Sequence, residues 1–223
     1  MRRLAEREQV ASVAPRYAAV LFDLLSGLLD SWSLWNVVAG GEADGRRWRA
    51  AYLRNTYRTG AYRSYEDLVA EAAVEVGLGR DLAARLAARY GEIRPWPEVN
   101  RVLGALRAHV PLAVVTNCSD KLGAKAIAAT GAAFDVVVTA ERAGFYKPNP
   151  RPYAMAIREL ALDPERCLFV AGSAFDLYGT AQLGLPTFWH NRIGLTAPSD
   201  APRPLIEKQT LEPLVEFVLG SPK

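Results

Sequence analysis

Five short runs of apolar, mostly β-branched or aromatic residues punctuate the chain: VLF (20–22), PLAVV (111–115), FDVVV (134–138), CLFVA (167–171) and PTFW (186–189). Runs this short, without polar alternation, suit strands buried on both faces. Between them lie amphipathic, Ala- and Leu-rich stretches, NRVLGALRAH, DKLGAKAIAAT, PRPYAMAIRELA and LYGTAQLG, of a length that suits crossover helices. The alternation predicts an α/β fold, a doubly wound parallel (Rossmann-like) sheet with helices on both faces.

Between the first and second runs the texture changes. From about Trp32 to Arg94 only helical periodicity is visible, in WRAAYLRNTY, YEDLVAEAAVEV and DLAARLAARYGEI. This reads as an all-helical cap at 32–97 inserted into a Rossmann-like core at 1–31 and 98–223. RPWPE, Arg94 to Glu98, marks a stiff return to the core because its two prolines restrict the backbone. Two crossings permit hinge motion, so the insertion is placed as a lid over the sheet edge. GGEADGRR, Gly40 to Arg47, lacks the Lys-Ser/Thr of a phosphate loop and carries two acids, and reads as a turn. APSDAPRP (197–204) reads as a surface loop before a last helix at LEPLVEFVL.

Composition narrows the partners. Half of the 223 residues are apolar, enough for a substantial core. With 27 basic against 24 acidic residues, the net charge of +3 announces neither nucleic acid nor an anionic membrane, which leaves a small molecule as the expected partner. The mixed aromatic and basic segment from Tyr52 to Arg63 suits a lid's solvated and anion-facing surface better than a nucleic-acid groove. Cys118 and Cys167 form no metal or redox spacing, so a reducing cytoplasm is expected. The opening MRRLAEREQVASV has the positive start of a signal peptide but keeps its charges where an apolar core is needed, and no span is long enough to cross a bilayer.

In an open parallel sheet, side chains that act on a ligand sit just past the carboxyl ends of the strands. There the chain places Asp23 after the first run, Thr116 and Asn117 after the second, Lys147 in the loop after the third, and Ser173 and Asp176 after the fourth. Singly, each has a plainer explanation: the two aspartates as helix caps, Thr116 as a turn former, Lys147 as a solvated loop lysine. Jointly, they bring a carboxylate, a hydroxyl, an ammonium and a second carboxylate to one edge. Neither His109 nor His190 accompanies a serine or cysteine nucleophile signal, which argues against a hydrolase triad.

That order of motifs resembles the haloacid dehalogenase superfamily. DLLSGLLD, TNCSD, FYKPNPRPY, LFVAGSAFD and LPTFWHNRIG are similar to the strings DLYGTLFD, SNGSP, VYKPDNRVY, LFVSSNAWD and FPTCWINRTG of its L-2-haloacid dehalogenase branch. Phosphatases of the superfamily carry a second aspartate two residues after the nucleophile and an acidic metal ligand in the fourth motif. Here those positions are Leu25 and Gly172. Leucine transfers no proton, and magnesium prefers hard oxygen ligands. A halide leaves without a proton donor, so both departures favour dehalogenation without a metal or other cofactor.

The resemblance implies a hydrolase in which Asp23 attacks the halogen-bearing carbon, Lys147 keeps it ionised, and Asp176 holds Lys147 and orients water. It implies that Arg49 receives the halide, that Thr116 and Asn117 hydrogen-bond halide or substrate carboxylate, and that Tyr153 supports Lys147 and the carboxylate region. Leu25 and Phe175 would line the alkyl pocket, with Ser173 beside them, and a homodimer is implied. Four positions depart from the family strings: Ser26 for Gly, Gly27 for Thr, Ala171 for Ser and Ser173 for Asn. A lost donor of this kind is worth roughly 2.7 to 4 kcal/mol. Two alternatives stay open, a metal-dependent phosphatase of small esters and a catalytically diverged binding protein.

Overall fold

The computed structural model describes residues 14–220, so the signal-like opening segment lies outside the described residues. Six parallel strands form one sheet: β1 (Ala19–Phe22), β2 (Leu112–Thr116), β3 (Val136–Thr139), β4 (Cys167–Ala171), β5 (Thr187–His190) and β6 (Ile206–Lys208), in the order β3-β2-β1-β4-β5-β6. This is the doubly wound order, and its direction reverses between β1 and β4. All residues of β1, β2, β4 and β5 are buried, as their mainly apolar runs require. Side chains alternate between two cores. Val20, Phe22, Val114 and Val170 face one, whereas Leu21, Val115, Val138 and Phe169 face the other.

The helices divide by position. α1 (Ser31–Ala39), α2 (Glu42–Arg58), α3 (Tyr65–Glu75) and α4 (Leu82–Ala88) follow β1 and precede α5 (Val99–Arg107). α6 (Asp120–Ala129), α7 (Ala140–Ala143), α8 (Pro150–Glu159), α9 (Asp176–Ala181) and α10 (Leu214–Leu219) flank the sheet. Local chemistry sets several starts: Asp30, Ser64, Ser119 and Asn149 each accept an N–H of the first turn of α1, α3, α6 and α8. The α1–α4 group has an aromatic core. Trp35 lies 4.5 Å from Trp48 and 5.5 Å from Tyr52 between ring centroids, and Tyr52 lies 5.3 Å from Tyr65.

The two crossings into this group are tied together. Leu29 and Pro95 form an antiparallel bridge, Asp30 N–H donates to Arg94 C=O at 2.8 Å, and Trp96 N–H donates to Leu28 C=O at 3.0 Å.

Two local expectations are corrected. GGEADGRR is not a turn throughout: α2 begins at Glu42, and Glu42 and Asp44 in its first turn favour the positive helix end. β6 is an additional strand beyond the expected loop. It is a half-exposed edge strand of three residues, IEK, whose single apolar residue leaves no period to read.

Candidate active site

The chain turns immediately after β1, and a tight turn leaves backbone N–H groups in need of acceptors. Asp23 supplies one oxygen. Its Oδ2 accepts from Ser26 N–H at 3.0 Å, Gly27 N–H at 2.9 Å and the Ser26 hydroxyl at 2.9 Å. The cap-like role and a chemical role are therefore divided between the two oxygens, because Oδ1 is free of the turn and, among the described residues, accepts only from Lys147 Nζ, at 2.8 Å.

Lys147 reaches Asp23 from the loop before α8, and Asn117 fixes that loop. The Asn117 Oδ1 accepts from Lys147 N–H at 2.7 Å, while its Nδ2 donates to Lys147 C=O at 3.0 Å. The ammonium also lies 3.0 Å from Asp176 Oδ1 at the start of α9, and that oxygen accepts from the Tyr153 hydroxyl at 2.7 Å. Asp176 Oδ2 is buried and has no hydrogen-bond partner among the described residues. Lys147, Asp23 and Asp176 expose 5%, 9% and 4% of their side chains, so one buried cation is shared by two buried carboxylates.

Burial and charge separate the two acids. Burial pushes Asp23 upward, but the Lys147 charge and the hydrogen bonds from Lys147 and Ser26 outweigh it, and its pKa falls below the ordinary aspartate value. Burial pushes Asp176 upward too, and there it prevails over Lys147, with the Asp23 charge adding to the rise. Burial works against the Lys147 ammonium, yet the charges of Asp176 and Asp23 raise its pKa above that of a free lysine. One carboxylate is held ionised and its neighbour made more basic, the division of labour that nucleophile and proton acceptor need.

Arg49 closes the site from α2. It is 6% exposed, with its guanidinium carbon 3.8 Å from the Trp32 ring centre and its Nη1 donating to Ser31 Oγ at 2.6 Å. Among the described residues no carboxylate pairs with it. Burial works against this guanidinium and the Asp23 charge offsets it only from a distance, which marks a place where an anion would be welcome. Arg49, Leu53 and Tyr57 recur at helical spacing on α2 and line a cavity of about 50 Å³ with Leu25, Phe175, Asp23, Lys147 and Asp176. The Tyr57 and Phe175 rings meet at 4.5 Å and wall one side.

Glycines 27 and 172 explain how the turn fits. A β-carbon at Gly172 would lie 2.5 Å from Ser26 Oγ and 2.6 Å from Asp23 Oδ2, and would overlap the Gly27 amide. The position that carries an acidic metal ligand in phosphatases therefore admits no side chain here. A β-carbon at Gly27 would overlap the Asp23 carbonyl, so the family threonine does not fit, and a hydroxyl reaches Asp23 from Ser26 instead. Among the described residues no group of three or more His, Cys, Asp or Glu side chains could hold a metal.

Of the expected site residues, Asp23, Lys147, Asp176, Arg49, Asn117, Leu25, Ser173 and Phe175 all line the cavity. Thr116 does not. It shares the strand face of Val114, is buried, and sits 3.7 Å from Cys118 Sγ, so the structure does not bring it to the cavity wall. Asn117 has both ends of its amide engaged by the Lys147 backbone, which makes it chiefly a holder of that loop. Tyr153 is fully buried, is not part of the cavity wall, and donates its hydroxyl to Asp176 Oδ1. Sequence reasoning missed Leu53 and Tyr57, whose i+4 and i+8 spacing from Arg49 was available, and Ser31, for which no signal was present. Burial pushes the Cys118 thiol up to about 12, as befits an inert filler.

A family model described as haloacid dehalogenase-like hydrolase matches residues 17–184. The chain belongs to the haloacid dehalogenase-like hydrolases. Within the family it is 28% identical over 217 residues to the (S)-2-haloacid dehalogenase H-109 of Pseudomonas putida, spanning 90% of this chain and 97% of that one. It is 32% identical over 158 residues to (S)-2-haloacid dehalogenase 1 of Pseudomonas sp. strain CBS-3, spanning 66% of this chain and 70% of that one. A solved L-2-haloacid dehalogenase superposes with a TM-score of 0.80 at 26% identity, covering 91% of this chain and 98% of the other. The haloacid dehalogenase fold and the hydrolase class are thus those read from the motifs, and no helix among the described residues is long and apolar enough to cross a membrane.

Proposed function

We propose that this protein is a hydrolytic dehalogenase of short 2-haloalkanoic acids that works through an ester of Asp23. The observation that carries this reading is the asymmetry of the Asp23 carboxylate, which lines the cavity with Oδ2 held by three donors of the turn and Oδ1 left to Lys147. Oδ1 attacks the carbon from the side opposite the halogen, the carbon–halogen bond breaks, and the halide leaves with the electron pair. The buried Arg49 guanidinium is the cation available to receive it. The small cavity and its Leu25, Leu53, Tyr57 and Phe175 walls favour a short alkyl chain.

In the second step water attacks Cγ of the ester, and negative charge develops on Oδ2, where the Ser26 and Gly27 donors already point. Asp176 Oδ2, unpartnered and more basic than usual, accepts the water proton. Collapse breaks the Cγ–Oδ1 bond, and the departing 2-hydroxy acid takes that proton. Asp23 returns to a carboxylate by releasing the second proton, so halide, hydroxy acid and one proton balance substrate and water.

Residues 32–97 act in this reading as a cap, contributing Arg49, Tyr52, Leu53 and Tyr57 to a site whose other groups come from the core at 1–31 and 98–223. The buried free thiols suit a reducing cytoplasm, and a homodimer is the proposed assembly, checked by light scattering. The function is tested by screening halide release from short 2-haloacids of both configurations without added metal. Release by the wild type, lost in Asp23→Asn, is expected. Metal-dependent turnover of an aryl phosphate with no halide released would overturn the proposal.

A further inference from the structure

Trp96 belongs to the segment that returns from the helical insertion, yet its indole N–H donates to the Ser26 carbonyl at 3.1 Å. That carbonyl belongs to the peptide unit whose N–H, on Gly27, donates to Asp23 Oδ2 at 2.9 Å. One planar unit thus receives a hydrogen bond at its oxygen and gives one at its nitrogen. Such chains polarise each link, so withdrawing electron density at the carbonyl makes the Gly27 N–H a better donor.

The surroundings hold Trp96 in place. Its own N–H donates to Leu28 C=O at 3.0 Å, and Arg192 lies 5.1 Å over its ring while donating to Glu98 at 3.0 Å. The next carbonyl of the turn, that of Gly27, accepts from His190 Nδ1 at 2.8 Å. Two side-chain N–H groups therefore pin consecutive carbonyls of the loop whose amides face the nucleophile.

We propose that Trp96 is a positioning residue for ester hydrolysis, setting through the Ser26–Gly27 peptide the strength and aim of the Gly27 N–H toward Asp23 Oδ2. The inference rests on the aspartyl-ester reading above. Its effect falls on one half-reaction. Oδ2 gains negative charge when water attacks the ester, whereas alkylation withdraws charge from the carboxylate, so a stronger donor speeds the second step and does nothing to speed the first.

The test is rapid-quench mass spectrometry of the full-length protein with a 2-haloacid that the wild type turns over, following the ester on the Asp23 peptide and halide release. Trp96→Phe keeps an aromatic ring and removes the N–H. Replacing Trp96 by β-(3-benzothienyl)alanine keeps the bicyclic shape and removes it too, which guards against a packing defect in the phenylalanine variant. Both are expected to slow ester hydrolysis about 2- to 10-fold, the worth of one neutral hydrogen bond, with alkylation unslowed and more ester at steady state. Hydrolysis at the wild-type rate in the benzothienyl protein, or equal slowing of both steps there, overturns the inference and leaves the dehalogenase reading standing. A wild type that forms no ester with any 2-haloacid overturns that reading and this inference together.

Discussion

Replacing Lys147 by methionine keeps the length and apolar stem of the side chain and removes the cation that, among the described residues, alone contacts the two buried carboxylates. The ammonium lies 2.8 Å from Asp23 and 3.0 Å from Asp176. At an effective dielectric of about 20, each contact amounts to about 6 kcal/mol of attraction before the cost of burying the ammonium is set against it. Removing one partner of a buried pair typically destabilises by about 3 to 5 kcal/mol, a large share of a total of roughly 5 to 15. Asp23 lies below its ordinary pKa because Lys147 and the turn donors prevail over burial. Without Lys147, burial and the neighbouring Asp176 charge push it upward, so a smaller fraction is ionised and able to attack. Urea denaturation should show the loss of stability. Rapid-quench ester formation across pH should show a slower first step whose acid limb has moved toward neutral. Lys147→Met protein that forms ester at the wild-type rate with an unmoved acid limb would refute the role given to the lysine.

Other predictions follow from the same geometry. For the wild type, kcat/KM should stay flat from about pH 5 to 9, because Asp23 lies below its ordinary value and Lys147 above its own. By linkage, the Asp23 contribution to stability is present above the unfolded aspartate pKa and lost as pH falls through the folded one. The Lys147 contribution is present below the unfolded lysine pKa and lost as pH rises through the folded one. A kcat/KM acid limb near pH 7 would contradict the lowered Asp23. Asp176→Asn removes the proton acceptor and should slow ester hydrolysis by about 10²- to 10⁴-fold, leaving a burst of one halide per site that quench-flow would resolve. Gly172→Ala places a β-carbon 2.6 Å from Asp23 Oδ2 and should displace the donor turn, cutting ester hydrolysis by about 10²- to 10³-fold. An alanine variant of normal activity would show that the turn is not as tightly built as described.

Much of this site was legible because a doubly wound sheet sends whatever follows each strand to a single edge. Asp23, Lys147 and Asp176 could be placed by counting strands, and the missing acids at Leu25 and Gly172 already pointed away from phosphoryl chemistry. Strand position alone does not say which way a side chain turns. Thr116, the last residue of β2, lies beside Cys118 and away from the cavity, and the amide of Asn117 is occupied by the Lys147 backbone. The exchange of Gly-Thr for Ser-Gly at 26 and 27 reads in one dimension as the loss of a donor. In space the hydroxyl is retained from the neighbouring position, because the turn leaves no room for a β-carbon at Gly27. The hydrogen bond of Trp96 to Ser26 spans 70 residues, and no local pattern announces it.

Isotope tracing through a single turnover tests the central claim most directly, with enzyme in excess over a turned-over 2-haloacid in water enriched in oxygen-18. If Oδ1 is the nucleophile, the first 2-hydroxy acid carries oxygen-16 from Asp23, and the Asp23 peptide gains one heavy oxygen from water. A product labelled in the first turnover, with an unlabelled Asp23 peptide, would mean that water displaces the halide directly and that no aspartyl ester forms.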